Sequence, residues 1–127
     1  MKKIINTKNA PEAIGPYNQA VEANGFLFVS GQIAINPQSG KLISGGIKEQ
    51  TNQVLANIKA ILNEAGCDVK DIVKMSCSLS DMNSSPIMNE VYSEFFTEKH
   101  PARALFEVSK LPLGALIEIE TIAVKSS

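Results

Sequence analysis

At 127 residues, with 44% hydrophobic and 20% charged side chains, the chain has the length and composition of one globular domain, expected over 1–127. A formal net charge of −1 with scattered lysines and arginines lacks the basic footprint of a nucleic-acid binder, and no run approaches the roughly 18 apolar residues that span a bilayer, so neither nucleic acid nor membrane is an expected partner. His-based triads and His-rich metal centres are set aside because His100 is the one histidine and Cys67 and Cys77 sit outside any CxxC spacing; the start MKKIINTKNAPEAIG has no signal-peptide apolar region, so a cytoplasmic location is expected.

Ile4 and Ile5 predict a short first strand, followed by a loop marked by Ala10-Pro11 and Gly15-Pro16. Asn24-Gly25 lies between the runs Tyr17 to Glu22 and Phe26 to Gly31. It predicts a two-residue hairpin, because a type I′ turn needs positive φ at both central positions. Gly31 inside an apolar run predicts a bulge or a close approach by another group. Asn36 to Gly40 reads as a turn. Ile47, Val54, Leu55, Ile58, Ile61, Leu62 and Ala65 then fall on one helical face that stops at Gly66. In the following strand Val73, Met75, Cys77 and Leu79 should face inward, alternating with Lys74, Ser76, Ser78 and Ser80. Ser84-Ser85-Pro86 supplies a cap and an early proline for a second helix, with Ile87, Met88, Val91, Tyr92, Phe95 and Phe96 as its apolar stripe. His100-Pro101 ends that segment.

From Pro101 to Val124 two apolar strand-like runs carry charges. Arg103 opens the first, and Glu118 and Glu120 interrupt the second. Alternation puts both glutamates on the face of Leu116, Ile122 and Val124, with Ile117, Ile119 and Ala123 opposite, so this strand has no clean solvent side. An unpaired buried charge is costly, so these groups should be paired, placed at an interface or turned toward a polar ligand. The order of elements predicts an α+β fold, a single mixed sheet with two helices on one face. The bare second face, apolar along its last strand, predicts an obligate homo-oligomer.

Arg103 is the sharpest candidate for chemistry, since a guanidinium fork matches a carboxylate in two hydrogen bonds. The residues alone leave a structural ion pair with Glu118 or Glu120 open beside that reading. Tyr17 offers a phenol on a rigid segment or a packed ring, Asn89 a ligand contact or a loop cap, and Gly31 backbone access or a bulge. Cys67, Cys77 and His100 read as core or surface residues, and Gly45-Gly46 is no phosphate loop.

The segments IGPYNQA, VSGQIAINPQSG, EQTNQVLANIKAIL, MNEVYSEFF and PAR followed by IEIETIA, in this order, resemble the Rid family (RidA/YjgF-like reactive-intermediate deaminases) over nearly the whole chain. The resemblance implies a chorismate-mutase-like fold whose last strand inserts between earlier ones, assembled as a homotrimer with ligand clefts between subunits. It implies hydrolysis of 2-imino or 2-enamino acids, such as 2-iminopropanoate from 2-aminoacrylate and 2-iminobutanoate, to 2-oxo acids and ammonia, with no cofactor or metal. Arg103 would hold the substrate carboxylate and Glu118 would place or activate water. Tyr17, Ser30, Gly31 and Asn89 would line the cleft. Leu105 stands where many relatives carry Cys or Thr, an apolar group near the expected ligand that lowers turnover or favours apolar substrates. A non-catalytic 2-oxo-acid binding module and, with less support, an endoribonuclease or translation inhibitor are the alternatives.

Overall fold

In the computed structural model, which describes residues 1–125, Asn24 and Gly25 both take positive φ, 52° and 79°, and close the hairpin between β2 (Ala20–Ala23) and β3 (Phe26–Gln32) as their sequence requires. β1 (Lys3–Ile5) pairs with β2. α1 (Ile47–Glu64), β4 (Ile72–Leu79), α2 (Ser85–Phe95), β5 (Ala102–Glu107) and β6 (Ile117–Val124) follow. The sheet order is β1-β2-β3-β6-β4-β5, parallel between β4 and β5 and antiparallel elsewhere. A mixed six-stranded sheet with two helices makes this an α+β fold, as the sequence predicts. Although β5 and β6 are consecutive in the chain, β4 lies between them. The intervening turn at Leu113 and Gly114, both at positive φ, carries the chain across rather than making a hairpin.

The inward face of the sheet presents Leu27, Val29, Met75, Cys77, Leu79, Ile117, Ile119 and Ala123, all almost fully buried with Val54, Ile58, Ile61 and Leu62 of α1 and Met88 and Val91 of α2. β6 alternates without a fault: Ile117, Ile119, Thr121 and Ala123 are buried, while Glu118, Glu120, Ile122 and Val124 face the other way. That second face is bare in the single chain. Phe26 and Phe28, stacked at 6.1 Å, are 42% and 46% exposed, and Phe106 is 57% exposed, too much aromatic surface for a face meant for water.

Four local expectations need correction. Tyr17 to Gln19 lie outside β2, because the ladder begins where Ile5 and Val29 pair with Ala20 and a tight turn from Gly15 O to Tyr17 N precedes it. Val73 points outward and Ile72 inward, because the β4–β6 register shifts between Ile72 and Lys74. Ile87 is 45% exposed in the first turn of α2, where little faces it. The Ser84 hydroxyl makes no capping bond.

α1 starts at Gly46, whose N–H donates to Glu49 Oε1 at 2.8 Å, and ends at Gly66 with φ +77°. Accepting that backbone donor lowers the Glu49 pKa from its ordinary value. The helix also buries amides. Asn57 Nδ2 donates to Ile33 O (3.4 Å) and Ile35 O (3.0 Å), and Gln50 Oε1 accepts from Leu116 N at 2.9 Å. These bonds satisfy backbone that has left the ladder after β3 and before β6. Asn57→Leu should therefore lose about 1–3 kcal/mol in urea denaturation, since two carbonyls and the Gln53 amide lose their partner.

Candidate functional site

The bulge in β3, between Val29 and Gln32, sets Gly31 against β6. A Cβ at Gly31 would lie 2.8 Å from Glu118 Oε2 and 2.9 Å from its Cδ, so the glycine is there for close approach. Glu118 pairs across the sheet with Ser78 and opens into a small cavity of about 50 Å³, walled by Pro11, Ile14, Tyr17, Ile33 and Pro112. Burial, and secondarily the charge of Glu120 on the same strand face, raise the Glu118 pKa. A carboxyl that exchanges its proton nearer neutrality is suited to passing one to and from a reacting molecule.

Tyr17 is 45% exposed at the mouth of this cavity, its hydroxyl oxygen accepting a long bond from Ile14 N at 3.4 Å. Ser30 fixes the neighbouring backbone, its hydroxyl donating to Asn18 O at 2.6 Å and its N–H to Gln19 O at 2.9 Å. The Gln19 side chain, 3% exposed, accepts from Thr7 N (2.7 Å) and donates to Thr7 O, Ala10 O and Pro11 O. One amide thus ties down the proline-rich segment that forms the outer wall.

Arg103 belongs to a second group of residues. It stands on the edge strand β5 in register with buried Met75, and so on the helix side of the sheet. Its Nη1 donates to Asn89 Oδ1 at 2.8 Å and lies 4.0 Å from Met88 Sδ, while Cζ sits 4.8 Å from the centre of the Tyr92 ring. The aromatic face and the amide both orient the guanidinium without neutralising it, a cation–π contact being worth about 0.5–1 kcal/mol near a surface. Leu105 follows on the same face in register with Cys77, partly buried against the core. Burial pushes the Cys77 thiol up to about 11, the Arg103 charge opposing it. Burial and then Cys77 push the Tyr92 phenol up to about 12, again against Arg103. Both groups stay neutral under the cation.

Arg103 pairs with neither Glu118 nor Glu120: they lie on opposite faces of the sheet, and no carboxylate of the described residues forms an ion pair with it. The structural ion pair left open by the sequence is not formed within the chain. Tyr17, Gly31 and Glu118 line one cavity, while Ser30 lines the neighbouring hollow with Glu120; Asn89, Arg103 and Leu105 are brought together elsewhere. Among the described residues, no three His, Cys, Asp or Glu side chains gather closely enough to hold a metal ion. No helix of the described residues is long and apolar enough to cross a membrane.

Sequence reasoning missed Gln19 and the role of Tyr92. The second was readable, because Asn89 and Tyr92 are three residues apart on one helix and share a face. The first had a weaker sign: carbonyls next to prolines in a loop must find donors, and a neighbouring glutamine can supply them.

The family model for endoribonuclease L-PSP matches residues 7–125. A 2-iminobutanoate/2-iminopropanoate deaminase of Mus musculus is 45% identical over 125 residues, covering 98% of this chain and 93% of that one. A crystal structure of a conserved Rid family protein from Yersinia pestis superposes with TM-score 0.96 at 50% identity, covering 98% of this chain and 99% of that one. E. coli TdcF, crystallised with bound serine, superposes with TM-score 0.93 at 43% identity, covering 98% and 99%.

Proposed function

The chain belongs to the Rid family, the RidA/YjgF-like group matched by the endoribonuclease L-PSP model, and from that premise we propose that it hydrolyses 2-imino acids to 2-oxo acids and ammonia. The observation that carries this reading is an arginine held by Tyr92 and Asn89, with no carboxylate of the described residues to pair with. Its remaining N–H groups suit a small organic acid. Glu118 and Arg103 face opposite ways in one chain, so the reading requires a cleft between subunits, with Arg103 from one and Glu118 from the next. The bare aromatic face supports such packing, and we propose a homotrimer.

In that cleft Arg103 clamps the substrate carboxylate and presents the imine carbon to a water at Glu118. As the water oxygen bonds to that carbon, Glu118 takes a proton from it. Glu118 returns that proton to the imine nitrogen, which becomes an amine; the nitrogen then receives the proton of the new hydroxyl, again through Glu118, and leaves as ammonia as the C–N bond breaks and the C–O bond becomes a carbonyl. Positioning and one carboxyl shuttle supply the catalysis. The Gly31 backbone lets the ligand approach Glu118, and Leu105 favours imines with apolar side chains. We propose that the reaction proceeds without a cofactor or metal, in the cytoplasm.

Imines generated in situ by an amino-acid oxidase should disappear faster with the protein than without it. No acceleration for alanine-, 2-aminobutanoate- or leucine-derived imine would remove the proposal, and so would a monomeric mass by light scattering at micromolar concentration. The serine bound to TdcF favours one second reading, a carboxylate-binding module without turnover. Calorimetric binding of 2-oxobutanoate without any deamination would select it.

A further inference from the structure

We infer that Gln19 is a positioning residue for the reaction proposed above, the group that holds segment 7–14 against the Glu118 cavity and keeps that carboxylate partly out of water. The segment has no strand or helix of its own between β1 and β2, so its backbone polar groups need partners from elsewhere. One buried side chain supplies them: Oε1 takes the Thr7 N–H at 2.7 Å, and Nε2 reaches Thr7 O at 3.0 Å, Pro11 O at 2.9 Å and Ala10 O at 3.3 Å. Only an amide combines an acceptor with two donors at one branch point. Directly after the tethered Pro11 come Glu12, Ala13 and Ile14, which line the cavity with Tyr17 and Glu118. The main chain of Gln19 meanwhile accepts from Ser30 N, so the same residue fixes both the outer wall and the strand beside Gly31.

The wall matters because burial is the larger cause of the raised Glu118 pKa. The other titratable or charged groups near Glu118 are Glu12 from the segment, Tyr17 just after it, and Glu120 on its own strand. Lys74 of β4 lines the neighbouring hollow with Glu120, and Ser78 of β4 and Gly31 of β3 add no charge. Loosening the segment admits water and removes desolvation, while the repulsion from Glu120 stays. The Glu118 pKa should then move down, toward its ordinary value. A base must be ionised to work, so the acid limb of the rate profile should move to lower pH along with it.

The test is Gln19→Met, which keeps the length and apolar stem and removes the amide. Glu118 is followed by ¹³C NMR of its side-chain carboxyl, assigned by its absence in Glu118→Gln, and kcat/KM is followed against pH. The expected result is a lower titration midpoint, an acid limb displaced the same way, and kcat/KM reduced between about 10- and 100-fold, the range for misplaced catalytic geometry. Leu62→Ala, a destabilising change in the α1 core, should leave the midpoint where it is in the wild type. An unchanged midpoint in folded Gln19→Met overturns the inference, as does an equal displacement in Leu62→Ala. Should Gln19→Met fail to fold, Gln19→Asn, whose amide is one methylene too short to keep all four bonds, decides by the same two midpoints. The NMR readout needs no turnover, so a wild type inactive on every imine removes the proposed function while the midpoints still judge Gln19.

Discussion

Arg103→Ala should lower kcat/KM for imine hydrolysis by on the order of 10³-fold, the scale for deleting one partner of a desolvated charged contact. It should also abolish calorimetric binding of 2-oxobutanoate. The fold should hardly notice: Arg103 is exposed on an edge strand and has no ion pair among the described residues to lose, so stability should change by less than about 1 kcal/mol. Arg103→Lys separates charge from shape. A lysine keeps the cation but loses the planar fork and the stacking on Tyr92, so it should recover only a small part of the activity. Full activity in Arg103→Ala would remove the carboxylate clamp from the mechanism.

Gly31→Ala should be nearly as damaging, for a different reason. The new Cβ would meet the Glu118 carboxyl at 2.8 to 2.9 Å, closer than such atoms approach. Gly31 does not take a positive φ, so an alanine is not strained by its backbone there. The relief is for Glu118 to swing aside, which is cheap because a carboxyl is the mobile end of a side chain. Thermal stability should therefore stay within a few degrees of the wild type, while kcat/KM falls about 100-fold because the proton-transfer group has left its place. Binding of 2-oxobutanoate through Arg103 should survive better than turnover does. A variant as active as the wild type would show that the position of Glu118 does not matter.

The elements were legible in the sequence where a local physical rule decides them. Asn24-Gly25 could make only one tight turn, the spacing of α1 named its buried face, and Glu118 and Glu120 could be placed on one side of β6 by counting. Strand order was not local. The run around Leu111-Pro112 reads as a hairpin until β4 is seen lying between β5 and β6, and only the family resemblance carried that information. Val73 failed because a single register shift reverses which residues face inward, and nothing in the residue types announces it. At the site, Arg103, Glu118, Tyr17, Asn89 and Gly31 were named from their types and Ser30 and Leu105 only from the family resemblance, but the division of Arg103 from Glu118 across the sheet follows from topology alone. The groups that hold the candidates, Gln19 and Tyr92, carry no reactive chemistry and so attract no attention in a search for it.

The place of β6 has a consequence for how the molecule is made. β3 and β4 each find their inner neighbour in a strand that follows every other in the sequence, with Phe26 paired to Val124 and Leu79 to Ile117. β1–β3 and β4–β5 therefore share ladders only through β6, and the sheet cannot close until the segment through Val124 is available. The ladders that join them span most of the chain, an arrangement of high contact order that slows folding and leaves hydrogen-bonding edges available to other copies meanwhile. Synthesis and folding are thus coupled at the C-terminal side of the chain, and shortening it within β6 should leave both halves without a shared strand.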